Sequence, residues 1–442
     1  MDVPSRTESP PVVAVLADSD TRWKWGALTA RRLVPGARLD GYLLRGRATP
    51  TVRQLSEVGV AAEELREVTG AEFVRSVDPD RHRVVVLACV GGAVQAMLHG
   101  LAWQWSTSVA RPVVVTGYVG VVYEKLADGL LLRHGADVVL ANSRADAERF
   151  REVYAGVGAP AGSVTECALP FLDGAPRAGE RNGPFTVVFA TQPSVPEKRA
   201  DRRYLLERAV RHARLHPERE VLVKLRSRPG EHTTHLEEIP YQRLAARLPG
   251  EAPANFRLVY GHMGEVLDRT DLLVTVSSTA ALEALHRSVP TAVLTDLGIR
   301  EELGNHHFLG SGCLTSWDRL DAGQLPKAEP AWAARQGVAG ARPYERAFDA
   351  ARERVEELMG QPQLPPLAPY YTQETAPGYL PGILARHGFA PDGRPLPGRA
   401  PRPHAESALR RAAREALREA ARGAYRQGVQ RVAPVIRRLG EL

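Results

Sequence analysis

Cysteine is scarce in this sequence, and long apolar runs are missing. The three cysteines, Cys89, Cys167 and Cys313, lie far apart and form neither a metal-ligand pattern nor a disulfide framework. We therefore expect each to be a small core residue. The longest apolar stretches, such as Val84 to Val90, are far too short to span a bilayer. The polar, acidic N-terminus is unlike a secretory signal, so the simplest prediction is a cytoplasmic protein.

The net charge of +7 is concentrated at one end of the chain. Ten arginines and four glutamates follow residue 401, so this tail supplies +6 of the total. The positive net charge therefore indicates little about the function of the rest of the chain. We expect residues 401–442 to form a basic Arg/Ala-rich helical tail that either packs on the body or docks on an anionic membrane surface. Nucleic-acid binding is disfavoured because no aromatic residues are interleaved with the arginines.

Strands alternate with helices over most of the chain, which predicts parallel α/β sheets. In the N-terminal part the predicted strands are Val12–Ala17, Val84–Val90, Pro112–Thr116 and Asp137–Ala141. In the C-terminal part they are Phe185–Ala190, Glu220–Leu225, Arg257–Tyr260, Leu272–Val276 and Thr291–Thr295. No GxGxxG follows any strand, so an ordinary dinucleotide site is not indicated.

Two α/β units of similar size follow from this alternation, and we predict a Rossmann-like domain over residues 1–172 and a second over 184–325. A Pro- and Gly-containing linker joins them at 173–183. A helix and a proline-rich crossing segment follow at 326–400. Two such domains facing a cleft suit a donor site in one and an acceptor site in the other.

The segment Ser277-Ser278-Thr279 stands between a buried strand and an Ala/Leu-rich helix. Hydroxyl residues at that point are typical of a helix N-cap. The first N–H groups of a helix lack internal partners and favour anions, which also makes this turn a candidate phosphate site. Glu283, further along the same helix, is either a ligand for a ribose hydroxyl or a surface carboxylate.

Basic and polar residues follow three other strands of the second unit. Lys224, Arg226 and Arg228 are spaced two apart, so an extended segment would place them on one face until the turn that Pro229 signals. The segment from Gln192 to Lys198 follows the first strand, and His262 follows the strand that ends at Tyr260. His262 either contacts a base or is a loop histidine without a role.

Polar residues in the first unit are candidates for the acceptor side. Asp18 and Asp20 follow the first strand, where Asp18 either caps the next helix or faces a ligand. A haloacid dehalogenase phosphatase is disfavoured because Arg22 stands where that pattern needs Thr or Val. Loop residues Gly117, Tyr118 and Gly120 precede a helix with Glu124 and Asp128 and are expected at the ligand edge of the sheet.

KLRSRPGE followed by DLLVTVSSTAALEAL resembles the second domain of GT-B glycosyltransferases. It is most similar to bacterial sialyl- and polysialyltransferases, to CDP-glycerol glycerophosphotransferases, and to glycosyltransferase-like proteins of actinobacteria. The sialyltransferase Ser-Ser/Thr motif matches Ser277-Ser278-Thr279, whereas Arg228-Pro229 stands at the position of its His-Pro motif. The acidic-acidic-Gly motif of the first domain is matched in part by Ala127-Asp128-Gly129.

This resemblance implies an inverting transfer from a nucleotide-activated sugar, with a CMP-linked sialic or ulosonic acid favoured, to a cell-envelope glycan. One of four carboxylates would be the general base: Asp18, Asp20, Glu124 or Asp128. Neither a cofactor nor a catalytic metal is expected. The alternatives are a CDP-glycerol-type glycerophosphotransferase, a nucleotide-sugar 2-epimerase and a non-catalytic nucleotide-binding protein.

Overall fold

The structure is a computed structural model that describes residues 10–46, 49–121, 126–172, 174–177, 183–226, 228, 239–338 and 343–397. Glu124, Pro229 and the whole basic tail lie outside these residues, so their predicted roles stay predictions.

A seven-stranded parallel sheet forms the centre of the first domain, with strand order β3-β2-β1-β4-β5-β6-β7. Its strands are β1 Val12–Ala17, β2 Arg38–Leu44, β3 Glu64–Val68, β4 His82–Ala88, β5 Val113–Gly117, β6 Val138–Ala141 and β7 Val164–Glu166. The helices between them are α1 Asp20–Leu33, α2 Val52–Val58, α3 Gly70–Ser76, α4 Gly91–Gln104, α5 Leu126–Leu131 and α6 Arg144–Gly156. Apart from the half-buried Val12 and the exposed Arg83, the residues of β1, β4 and β5 are buried, because helices cover both faces of a parallel sheet.

A six-stranded parallel sheet forms the second domain, with strand order β10-β9-β8-β11-β12-β13. Its strands are β8 Thr186–Ala190, β9 Glu220–Lys224, β10 Phe256–Val259, β11 Leu272–Thr275, β12 Thr291–Leu294 and β13 Leu314–Thr315. Its helices are α7 Arg199–Leu215, α8 Tyr241–Ala245, α9 Met263–Leu267, α10 Ala280–His286 and α11 Trp317–Asp321, with 3-10 turns at Glu301–Leu303 and Asn305–Phe308.

The strand order reverses at one point in each sheet. In the first sheet this switch point lies between β1 and β4, and in the second it lies between β8 and β11. Ligands of open parallel sheets bind in the crevice beyond the carboxyl ends of the strands at this point. The two switch points therefore define where a site is expected.

Four strands were not predicted from the sequence: β2, β3, β7 and β13. The sequence of β2 includes Asp40, which an apolar-strand pattern does not accommodate; its buried carboxylate is matched by His82 at 3.1 Å and Arg81 at 2.7 Å. The edge strand β3 is exposed at four of its five residues, and β7 and β13 are only three and two residues long. The two-domain α/β fold class is confirmed, as are the three cysteines as buried core residues.

The chain returns to the first domain after its second sheet. The elements of this extension are α12 Pro330–Arg335, a 3-10 turn Tyr344–Phe348, α13 Asp349–Met359 and α14 Leu380–Arg386. Trp332 packs on Phe308 of the second domain, with ring centroids 5.6 Å apart, and Arg335 pairs with Glu148 of the first at 2.7 Å. The helix predicted in this part of the chain is α13, which follows directly on the 3-10 turn and becomes α-helical at Asp349.

Both connections between the domains meet at Tyr344. Its hydroxyl donates to the carbonyl of Leu169 and accepts from the N–H of Leu172 at 3.2 Å, so the outgoing and returning segments lie side by side. Within the described residues, no helix is both long enough and apolar enough to cross a bilayer.

Candidate functional site

The side chain of Asp18 bridges the two loops at the switch point of the first sheet. Its Oδ2 accepts from the N–H of Val90 at 2.9 Å, and its Oδ1 pairs with Arg22 at 2.9 Å. Of the two alternatives for Asp18, the cap of α1 is wrong, because Ser19 is the N-cap residue and its hydroxyl accepts from the N–H of Arg22. The Asp18 carboxylate joins the loops after β1 and β4, and both of its oxygens are engaged.

Asp20 connects the two domains. Its Oδ1 lies 2.9 Å from Nη2 of Arg226 on the second domain, and the same nitrogen lies 2.5 Å from Oγ1 of Thr21. A predicted acceptor-side carboxylate and a predicted donor-side arginine are thus brought together. Charge-assisted bonds of this kind are short and strong, so Arg226 is held at the boundary between the two domains.

The loop after β5 reaches the second domain through a glycine. A Cβ on Gly120 would lie 2.8 Å from Oγ1 of Thr279, so only a residue without a side chain allows this approach. Gly117 is equally enclosed, by Trp25 and the carbonyl of Leu140. Tyr118 instead packs inside its own domain, with the guanidinium of Arg133 at 4.1 Å from its ring centroid. Of these loop residues, Gly120 is the one at the domain boundary.

Gln192 closes the switch point of the second sheet. Its Oε1 accepts from the N–H of Ser277 at 3.0 Å, and its Nε2 donates to the Ser277 hydroxyl at 3.2 Å. That hydroxyl donates in turn to the carbonyl of Leu303 at 2.5 Å, and Ser277 is 1% exposed. Gln192 and Ser277 therefore brace the loops of this domain, and the ligand contacts expected of them stay a prediction.

Ser278 and Thr279 remain at the surface of the same turn, each half-buried. Thr279 is the N-cap residue of α10 but makes no side-chain cap, whereas the hydroxyl of Ser278 accepts from the N–H of Ala280 at 3.2 Å. The expected hydroxyl cap is thus supplied one residue earlier. Since α10 has only seven residues, its dipole alone is a weak anion attractor.

The basic residues after β9 go to different places instead of sharing one face. Lys224 is 7% exposed, and its ammonium donates to the carbonyl of Leu225 at 2.7 Å. Arg226 turns to the first domain, and the exposed Arg228 lies over the ring of Tyr260 at 5.6 Å. Lys198, which follows β8, is exposed at the N-cap position of α7.

Glu283 is buried, which corrects its interpretation as a surface carboxylate. It is 7% exposed, and among the described residues no hydrogen bond or ion pair to its carboxylate is found. Burial raises the pKa of the Glu283 carboxyl, and the charges of Lys24, Arg287 and Lys224 offset part of that rise. Burial of a charged carboxylate is costly, and these three charges offset part of that cost.

The charges that act on that carboxyl come from different elements. Lys24 comes from α1 of the first domain, and Arg287 ends α10 and pairs with Asp268 at 3.4 Å. His262 lies beside Arg287, since a Cβ on Gly264 would touch both, at 3.0 and 3.1 Å. Burial, and next the charge of Lys24, lowers the pKa of His262, so its imidazole is neutral at pH 7.

Lys24 and Arg287 were missed by sequence reasoning, although a signal for each exists. Lys24 lies four residues after Asp20, and Arg287 lies four residues after Glu283, so each pair shares one face of a helix. The first pair identifies the face of α1 that meets the second domain. Without the fold, nothing distinguishes these pairs from ordinary surface charges.

Asp128 lies away from the switch points, on α5. It is exposed, and the hydroxyl of Tyr379 lies 3.5 Å from its Oδ1. Across the described part of the chain, no group of three or more His, Cys, Asp or Glu residues is placed to hold a metal ion.

Solved structures share the two-domain architecture at low identity. The S. aureus MnaA–UDP co-structure has a TM-score of 0.51 and 10% identity, covering 80% of this chain and 99% of that one. UDP-GlcNAc 2-epimerase from Neisseria meningitidis bound to UDP-GlcNAc has a TM-score of 0.47 and 10% identity, covering 78% of this chain and 100% of that one. Spinosyn forosaminyltransferase SpnP has a TM-score of 0.42 and 14% identity, covering 80% of this chain and 100% of that one. At such identities the likeness shows the fold alone, two parallel-sheet domains of the GT-B type.

None of the curated proteins matches this chain. One family model matches residues 13–358, which include both sheets and the helix that returns to the first domain. With this much of its 442 residues matched, the chain belongs to the family described as "Putative glycosyltransferase (DUF6716)".

Proposed function

We propose that the protein transfers a sugar from a nucleotide-activated donor to a glycan acceptor. The observation that carries this proposal is the buried Glu283 carboxylate, which has no hydrogen-bond partner among the described residues and whose raised pKa is offset in part by the charges of Lys24, Arg287 and Lys224. A nucleotide matches both features. Its ribose hydroxyls can donate to the carboxylate, and its phosphate oxygens can accept hydrogen bonds from the cationic groups.

Arg226 is the group proposed to bind the departing phosphate. A phosphate that binds the Arg226 guanidinium displaces Asp20 from it, and the Asp20 carboxylate is then free at the domain boundary. Asp20 is therefore our choice of general base, because Asp18 is fully engaged and Asp128 lies beside Tyr379. Donor binding would in this way release the base that the reaction needs.

The transfer is a single displacement. Asp20 takes the proton of the acceptor hydroxyl, whose oxygen forms a bond to the anomeric carbon on the face opposite the nucleotide. The bond from that carbon to the phosphate oxygen breaks, and the phosphate leaves with both electrons and is stabilised by Arg226 and Ser278. The configuration at the anomeric carbon inverts, and no metal takes part in this sequence.

The donor is proposed to be CMP-linked, of the sialic or ulosonic acid type, and the acceptor to be a cell-envelope glycan. Support for this comes from the resemblance of the Ser277-Ser278-Thr279 segment to the sialyltransferase motif. Transfer of glycerol phosphate from CDP-glycerol would use the same phosphate groups. An epimerase would instead convert UDP-N-acetylglucosamine with no acceptor present, which a single incubation detects.

Calorimetry with CMP, CDP and UDP on the full chain tests the proposal. We expect at least one nucleotide to bind, and Arg226→Ala to weaken that binding about tenfold, the value of one hydrogen bond to a charged group. Ser278→Ala should weaken it less. The matched control is Arg203→Ala, which removes an exposed arginine on the outer face of α7. Affinities that are the same in all three variants and the wild type would refute the assignment.

A further inference from the structure

We propose that Tyr371 and Tyr379, with the Asp128 carboxylate beside them, bind a neutral saccharide ring of the acceptor. This inference rests on the proposed function only for the identity of the ligand as an acceptor. The two tyrosine rings have centroids 5.3 Å apart and planes inclined by 72°. Tyr379 is 42% exposed, and its hydroxyl lies 3.5 Å from Oδ1 of Asp128.

The rings are held by a rigid base. The carbonyl of Tyr371 accepts from the side chains of His99, at 3.0 Å, and Gln95, at 3.4 Å, both on α4. The residue after Tyr379 begins α14, whose Leu380, Ile383 and Leu384 are buried in the core of the first domain. Since the backbone is fixed on both sides, the rings present a surface that is formed before any ligand arrives.

Aromatic faces beside a carboxylate match the two surfaces of a sugar. The C–H face of a hexose ring packs on an aromatic ring, and its hydroxyls donate to carboxylate oxygens. Asp128 is exposed, and no ion pair to it is found in the described part of the chain, so its oxygens can accept from further hydroxyls. Burial, and next the Asp128 charge, raises the pKa of Tyr379, which keeps its hydroxyl a donor. The negative charge of Asp128 disfavours an acidic sugar at this position.

The position of the three residues fits an acceptor that extends out of the cleft. Tyr118, which follows β5, donates its hydroxyl to the carbonyl of Leu126 at 3.4 Å, at the start of the helix that carries Asp128. Gly120, two residues after Tyr118, is the residue that approaches Thr279 of the second domain. The cluster is therefore close to the acceptor side of the domain boundary. Both tyrosines lie beyond residue 358, where the family match ends.

Saturation-transfer NMR on the full chain tests this subsite with three neutral probes: maltotetraose, cellotetraose and chitotetraose. We expect the ring C–H protons of at least one probe to receive saturation from the wild-type protein. Tyr379→Ala should reduce that signal about fivefold, through the loss of one aromatic contact. Tyr379→Phe should retain most of it, and Asp128→Asn should give an intermediate reduction. Trp103→Ala, which removes a 40% exposed aromatic on α4, is the control and should leave the signal unchanged.

Two results would overturn the proposal. One is that none of the three probes receives saturation from the wild type. The other is an undiminished signal in Tyr379→Ala, which, with a lowered melting temperature, would show that the tyrosines only anchor the extension. Nucleotide calorimetry on the same variants separates this subsite from the donor site. A wild type that binds a probe but no nucleotide would refute the proposed function and leave a saccharide site.

Discussion

The two sheets close their switch points in the same way but with different chemical groups. In the first sheet the side chain of Asp18, after β1, accepts from the N–H of Val90, after β4. In the second sheet the side chain of Gln192, after β8, accepts from the N–H of Ser277, after β11. One brace is a charged carboxylate that is also paired with Arg22, and the other is a neutral amide.

The comparison shows that the strand ends in both halves are already occupied by the protein itself. Capacity for a ligand in the second half lies to one side, at Glu283, which is buried without a partner in the described residues. The first half has a buried carboxylate too: Asp146, in the first turn of α6, is 5% exposed, its Oδ1 has no hydrogen-bond partner among the described residues, and burial raises its pKa to about 6. Each half therefore combines a braced switch point with one buried carboxylate, Asp146 in the first and Glu283 in the second.

The charged brace should matter more for stability than the neutral one. We expect Asp18→Ala to lower the free energy of unfolding by about 2 kcal/mol, because it removes a charge-assisted bond to the Val90 N–H and the partner of Arg22. Urea titration measures this. The control is Glu356→Ala on the exposed face of α13, expected within about 0.5 kcal/mol of the wild type. A loss no greater than that of the control would mean that the brace contributes nothing.

Glu283→Gln should separate stability from binding. We expect nucleotide affinity to fall about tenfold, because an amide is a weaker acceptor for ribose hydroxyls than a carboxylate. The pKa of Glu283 is raised by burial, so its contribution to stability is full below the unfolded-state pKa and is lost as the pH rises through the folded-state pKa.

Wild-type stability should therefore decline over that pH range, and Glu283→Gln should show a smaller decline, because Asp146 and Asp296, whose pKa values are also raised by burial, remain in the variant. Urea titrations at several pH values, with calorimetry at pH 7, measure both effects. The control, Glu302→Gln, changes an 80% exposed side chain and should alter neither. If the variant loses as much stability with rising pH as the wild type does, Glu283 is not among the groups that titrate over this range.

Gln192→Ala should have the smallest effect of the three. It removes a neutral bond to the Ser277 N–H at 3.0 Å, which is worth about 1 kcal/mol. Denaturant unfolding of this variant beside Gln361→Ala, an exposed glutamine in the extension, gives the comparison. A loss equal to that of Asp18→Ala would show that the charge of the first brace adds nothing to it.

The alternation of apolar strands and helices predicted the two-domain fold, because buried parallel strands have an apolar signature that needs no long-range information. Strands such as β2 were missed because the acceptable partners of Asp40, His82 and Arg81, are distant in sequence. Site residues were predicted by type and by strand end, which located Asp20, Arg226 and Glu283 near the domain boundary. Which of them would be tied up, as Asp18, Gln192 and Ser277 are, depends on loops that meet only after folding.

The contact of Tyr344 with Leu169 and Leu172 also sets the geometry of any domain motion. Because both connecting segments are fastened at one place, the second domain cannot slide along the first without breaking that contact. The second domain can still rotate about that contact. The pairs Asp20–Arg226 and Gly120–Thr279 are further contacts between the two domains, so a rotation that opens the boundary would have to separate them as well.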